Sequence, residues 1–98
     1  MKLSQLLMDM TVLELHADPN LEVADVCYDS RKAGPGCLFV AVTGMAVDGH
    51  RFIPAAVQAG ASVVVCEHAP DCEIPYVLVE SSREALACIG ANWFGSNR

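Results

Sequence analysis

Apolar residues recur at Leu3, Leu6, Leu7 and Met10. This i, i+3, i+4, i+7 spacing lays one apolar stripe along a helix and predicts an amphipathic helix over residues 2–10. Asp18-Pro19-Asn20 interrupts it with turn formers, and residues 22–28 read as a strand. Ala33-Gly34-Pro35-Gly36 marks a second turn. The next stretch, Cys37-Leu38-Phe39-Val40-Ala41-Val42, has no polar member. A strand with one wet face alternates, whereas an unbroken apolar run suits a strand covered on both faces, as in the middle of an α/β sheet. Residues 62–66 and 76–79 carry similar runs. Residues 52–59 predict a short helix, with Pro54 in the first turn, where a missing N–H does no harm. Gly60 sits where a left-handed C-terminal cap belongs. Ser81-Ser82-Arg83-Glu84 has the S-x-x-E capping pattern with Ser81 as N-cap. The helix that follows carries Ala85, Leu86, Ile89 and Trp93 on one side and stops near Gly95. Strand, helix, strand, strand, helix around fully apolar runs predicts an α/β fold, a small mostly parallel or mixed sheet flanked by helices. Its core should include Leu38, Val40, Val63, Val65 and Val77.

Composition narrows the reading. The 98 residues make one domain, and a chain of that length buries roughly 60–65% of its unfolded surface. With 53% apolar and 18% charged residues, it is not a disordered tail. No apolar run approaches the ~20 residues of a membrane span. Asp9 breaks the first apolar stretch and no small-residue cleavage site follows, so no signal peptide is expected. The formal net charge is −6, and scattered Lys and Arg cannot form the basic face of a duplex nucleic-acid binder. An anion can still be held by backbone N–H groups and hydroxyls. The five cysteines, Cys27, Cys37, Cys66, Cys72 and Cys88, form no C-x-x-C. An odd set argues against a disulfide framework, and the reading is of reduced thiols in a cytoplasmic protein. Cys66, His68 and Cys72 lack a fourth ligand, so no zinc site is expected.

Ligands of open α/β sheets bind beyond the C-terminal ends of the strands. Two loops leave strand ends here: Asp29-Ser30-Arg31, and residues 43–49. If their strands are parallel and adjacent, the loops share a rim, with Ser30 offering a hydroxyl and Gly44 a close backbone approach. The same residues are also ordinary turn formers, so both readings stay open on this ground. There is neither a G-x-x-x-x-G-K-[ST] phosphate loop nor a G-x-G-x-x-G. His50 and Asp48, two apart on a loop, make a poor acid–base pair, and no catalytic residue is assigned. Arg31 and Asp48 offer an ion pair tying the loops together.

The stretch from Tyr28-Asp29-Ser30-Arg31 through Pro35-Gly36-Cys37-Leu38-Phe39-Val40-Ala41 to Gly44, continued by Asp48-Gly49-His50-Arg51-Phe52-Ile53 and by Gly60-Ala61-Ser62-Val63-Val64-Val65, resembles the N-terminal signature of the Mur ligases. The resemblance covers residues 22–67, ordered and ungapped, and the rest more loosely. Ile74-Pro75-Tyr76-Val77-Leu78-Val79, Ser82-Arg83-Glu84-Ala85-Leu86 and Trp93-Phe94 are similar to the MurE type more than to the MurF type. The resemblance implies a cytoplasmic ATP-dependent ligase of peptidoglycan synthesis. Such an enzyme adds the third stem-peptide residue, diaminopimelate or lysine, to a UDP-MurNAc-dipeptide through an acyl phosphate. ATP, magnesium, the phosphate loop and a carbamylated lysine belong to a central domain of that family, and amino-acid selection to a C-terminal one.

Residues 1–98 would then be the N-terminal domain alone. It would hold the UDP end of the substrate and pack on its own central domain, with no cofactor or metal, no nucleic-acid or membrane partner, and no activity by itself. Carried over by position, Ser30 matches a serine that contacts the nucleotide, and Tyr28 a contact position two before it. Met45, Ala46 and Val47 match the loop at the uracil end. Met45 stands where some members have histidine, which favours a backbone contact there. Cys37 stands where aspartate is common, which alters the turn more than the site. The alternatives are a MurF-type domain and a non-enzymatic α/β binding module. A receiver-type domain needs a lysine ending a late strand, and the only lysines are Lys2 and Lys32.

Overall fold

The computed structural model describes residues 1–42 and 49–95. Five strands form one sheet: β1 (Glu14–His16), β2 (Asp25–Cys27), β3 (Cys37–Val40), β4 (Val63–Cys66) and β5 (Tyr76–Leu78), in the order β1-β5-β4-β3-β2. β2 to β5 are parallel, and β1 adds an antiparallel edge beside β5. Helices α1 (Leu3–Leu6) and α3 (Ser82–Gly95) lie against one face, and α2 (Ile53–Ala59) against the other. The expected α/β class and mixed sheet are what the chain adopts.

The two faces explain the unbroken apolar runs. Side chains alternate across a strand, so Leu38 and Val40 join Val63, Val65, Val77, Ala85 and Ile89 under α1 and α3. Cys37, Phe39 and Ala41 join Val64, Cys66, Ile53 and Ala56 under α2. Leu38, Val40, Val63, Val65 and Val77, the five expected core residues, are all 0% exposed.

The first helix is shorter than its periodicity suggested. Leu3 and Leu6 are buried as the stripe requires, but α1 stops at Leu7, and Asp9 takes a left-handed φ of 65°. The Asn92 side-chain amide donates to the carbonyls of Leu6 and Met8, 2.8 Å each. A tertiary donor thus satisfies carbonyls that a continuing helix would have used. Residues 21–23 are not part of β2. They pair instead with the N-terminus, Leu3 N to Leu21 O and Val23 N to Met1 O, both 2.8 Å. β1 had no sequence signal, since all three of its residues are exposed. α2 and α3 follow the reading closely. Gly60 caps α2 at φ 111°, and the Ser81 hydroxyl accepts from Glu84 N at 3.3 Å. Among the described residues no helix is long and apolar enough to cross a membrane.

Candidate functional site

Because β2 and β3 are adjacent and parallel, with Cys27 opposite Phe39, the residues leaving them emerge at one rim. Tyr28, Asp29, Ser30 and Arg31 from the first exit, Val42 from the second, and Gly49 and Phe52 beyond it line a cleft of about 500 Å³. Gly49 is fixed to the β3 exit by its N–H, which donates to Val42 O at 2.8 Å. A Cβ on Gly49 would stand 2.5 Å from that oxygen and 2.7 Å from Val42 N. Both are backbone atoms that cannot swing away, so only glycine allows the approach.

The other wall is braced locally. Asp29 begins a 3-10 turn, Ser30–Lys32, and its carboxylate accepts from Arg31 N at 3.0 Å. The same carboxylate takes two bonds from the Arg31 guanidinium, Nε at 3.2 Å and Nη2 at 3.0 Å. These side-chain bonds, then the backbone bond, hold the Asp29 carboxyl below its ordinary value of 3.8. A depressed value leaves the brace intact at neutral pH, and it is lost only as pH falls through a value below the usual carboxylate range. Asp29 and Arg31 therefore shape the turn. The Ser30 hydroxyl, half-buried at its start, engages no protein partner among the described residues. Tyr28 is 65% exposed.

Of the sequence-derived binding residues, Tyr28 and Ser30 come together in this cleft. Met45, Ala46 and Val47 lie outside the described residues, as do Gly44 and Asp48. Phe52, which the sequence reading places at a helix start and within the family signature but assigns no contact, also lines the cleft. Arg31, offered as a partner for Asp48, is engaged by Asp29 at 3.0 Å.

His50 has a structural setting. It is buried, stacks on His68 with ring centroids 4.0 Å apart, and its Nε2 accepts from Glu67 N at 2.8 Å. The Glu67 carboxylate in turn accepts from the backbone N–H and hydroxyl of Ser82, 2.8 Å each, at the start of α3. Hydrogen bonds thus join the turn before α2, the end of β4 and the start of α3. Cys66 is wholly buried on the α2 face, and among the described residues no group of three or more His, Cys, Asp or Glu is placed to hold a metal.

A mostly parallel sheet covered on both faces, with a cleft at the C-terminal rim of adjoining strands, defines a small α/β domain of the kind whose ligands sit at such a rim. The profile described as "Mur ligase family, catalytic domain" matches residues 22–93, and the chain belongs to the Mur ligase family. A UDP-N-acetylmuramoyl-L-alanyl-D-glutamate–2,6-diaminopimelate ligase of Chlorobium phaeobacteroides is 42% identical over 97% of this chain. A Bradyrhizobium diazoefficiens protein of the same name is 51% identical over 76% of it. Among solved structures, MurF from Acinetobacter baumannii superposes with a TM-score of 0.84 at 31% identity over 98% of this chain and 21% of its own. The chain spans 20% of the Chlorobium relative's length and 16% of the Bradyrhizobium relative's.

Proposed function

We propose that this chain is the N-terminal substrate-holding domain of a MurE-type ligase, and that its cleft receives the UDP end of a UDP-MurNAc-dipeptide. The observation that carries the reading is the cleft itself. Tyr28 and Ser30, matched by position to nucleotide contacts in the family, stand on a braced turn beside the β3 exit. Ser30 presents an unengaged hydroxyl, while backbone N–H groups serve an anion even in an acidic domain. The names of the Chlorobium and Bradyrhizobium relatives favour diaminopimelate as the amino acid that the whole cytoplasmic enzyme adds. In this reading ATP and magnesium are bound by a central domain against which residues 1–98 pack, and Met45, Ala46 and Val47 border the uracil.

Ser30→Ala tests the reading directly. A hydroxyl hydrogen bond contributes about 0.5–1.5 kcal/mol, and one to a charged phosphate about 1.5–3. Titrated into full-length protein, the UDP-linked substrate should bind the variant roughly tenfold to a hundredfold more weakly. Equal affinities in two folded proteins would reduce Ser30 to a turn residue. The MurF type is the second reading, favoured by the Acinetobacter superposition. Acceptance of D-alanyl-D-alanine instead of diaminopimelate by the full-length enzyme would select it.

A further inference from the structure

Phe52 is a large apolar side chain left 41% exposed, and Tyr28 is left 65% exposed. They reach the cleft from different elements, Tyr28 after β2 and Phe52 at the end of the 3-10 turn Gly49–Phe52. An aromatic ring kept partly in water forgoes the stabilisation that burial gives such a side chain elsewhere. Within one cleft, two such rings make a site for a flat partner. Phe52 is also held from outside. The Arg51 guanidinium carbon stands over its ring, 6.0 Å from the centroid. Arg51 lines the neighbouring hollow with His50 and His68 and does not line the cleft. A cation over an aromatic face is attracted by the ring quadrupole and favours this ring position. Val42, which is apolar, and Gly49, which has no side chain, also line the cleft. Among the described lining residues the charged side chains are those of Asp29 and Arg31, with the Ser30 hydroxyl between them. Aromatic rings from two elements and a turn bearing charge and a hydroxyl thus line one cleft, the two kinds of group that a nucleotide's base and phosphates call for.

The geometry points to Phe52 as a specificity-determining residue, which with Tyr28 forms aromatic walls that stack the planar base of the ligand. This rests on the reading that the cleft takes a uridine nucleotide, and it assigns the base-binding role to a residue that neither the turn motif nor the matched contact positions contain.

The test uses full-length protein with UDP and with ribose 5-phosphate, which lacks a base. Losing a stacked aromatic should weaken UDP binding by roughly tenfold or more in Phe52→Leu, with ribose 5-phosphate affinity unchanged. Tyr28→Leu should act in the same direction. Phe52→Trp, which keeps a flat ring, should bind UDP at least as well as the parent. In proton NMR the uracil H5 and H6 signals should move upfield on binding, and Phe52→Leu should abolish much of that shift. Thermal melts verify that each variant is folded. UDP affinity unchanged in folded Phe52→Leu overturns the stacking role. An equal loss for UDP and ribose 5-phosphate also overturns it, since it marks Phe52 as structural support. If Ser30→Ala weakens UDP while Phe52→Leu does not, the uridine reading stands and stacking falls. If the wild type binds no UDP, the uridine reading falls and takes the stacking role with it.

Discussion

At the scale of single residues, Gly60 is required by both its conformation and its neighbours. Its φ is 111°, and a Cβ there would stand 2.8 Å from the Cα of Pro35. Its carbonyl also accepts from Gly36 N at 3.0 Å, joining the end of α2 to the turn before β3. The left-handed conformation alone disfavours a side chain by about 1–2 kcal/mol, and the backbone contact adds to it. Gly60→Ala should lower unfolding free energy in urea by at least that amount, and a change under about 0.5 kcal/mol would contradict the account. The thiols differ by burial. Burial first, then the hydrogen bond and charge of Cys37 and the charges of Asp25 and Asp29, push Cys27 up to about 12. Burial pushes Cys66 up to about 11. Raised values leave almost no reactive thiolate at pH 8. A disulfide reagent on native protein should therefore modify the half-buried Cys72 and Cys88 first. Cys27 and Cys66 should follow only on unfolding, and peptide mapping of labelled sites over time checks the order.

At the scale of elements, α3 depends on a partner that its own sequence does not contain. Ser81 caps it as the S-x-x-E pattern indicated, but the Glu67 carboxylate, from the end of β4, takes both the N–H and the hydroxyl of buried Ser82. A carboxylate at a helix N-terminus is favoured by the helix dipole, and removing the acceptor of buried donors costs about 1–3 kcal/mol. Glu67→Ala should lower stability in urea by roughly that amount. Exposed Glu73→Ala should change it by less than about 0.5 kcal/mol. The two together distinguish a lost junction from a lost surface charge. Elements set by local pattern were legible: α2 with its proline start and glycine stop, and β3 and β4 with their unbroken runs. α1 was overextended because periodicity registers which face is apolar but not where a distant Asn92 ends the helix.

At the scale of the whole molecule, the chain builds a sheet rim and a cleft but spans only about a fifth of its relatives' length. It has no G-x-x-x-x-G-K-[ST] segment, so nothing in it cradles a triphosphate in the manner of that motif. Residues 1–98 with magnesium should turn over ATP no faster than a tag-only control, and measurable phosphate release above that control would refute the division of labour proposed here. The sequence by itself determined the layers and the core. Fully apolar strands must be covered on both faces, and that requirement is written in adjacent residues, so the sequence places Leu38, Val40, Val63, Val65 and Val77 in the core, where all five are buried. It also marked Tyr28 and Ser30, through a motif contiguous along the chain. Only the tertiary structure decided that β2 and β3 are parallel neighbours, which brings Tyr28 and Ser30 to the same rim as Val42, Gly49 and Phe52. It also placed β1 at the edge, where no apolar pattern is needed, and set His50 against Glu67 and His68. Such pairings arise from strand order and side-chain packing between residues far apart in sequence, and local periodicity and turn chemistry carry no information about which distant partner each will meet.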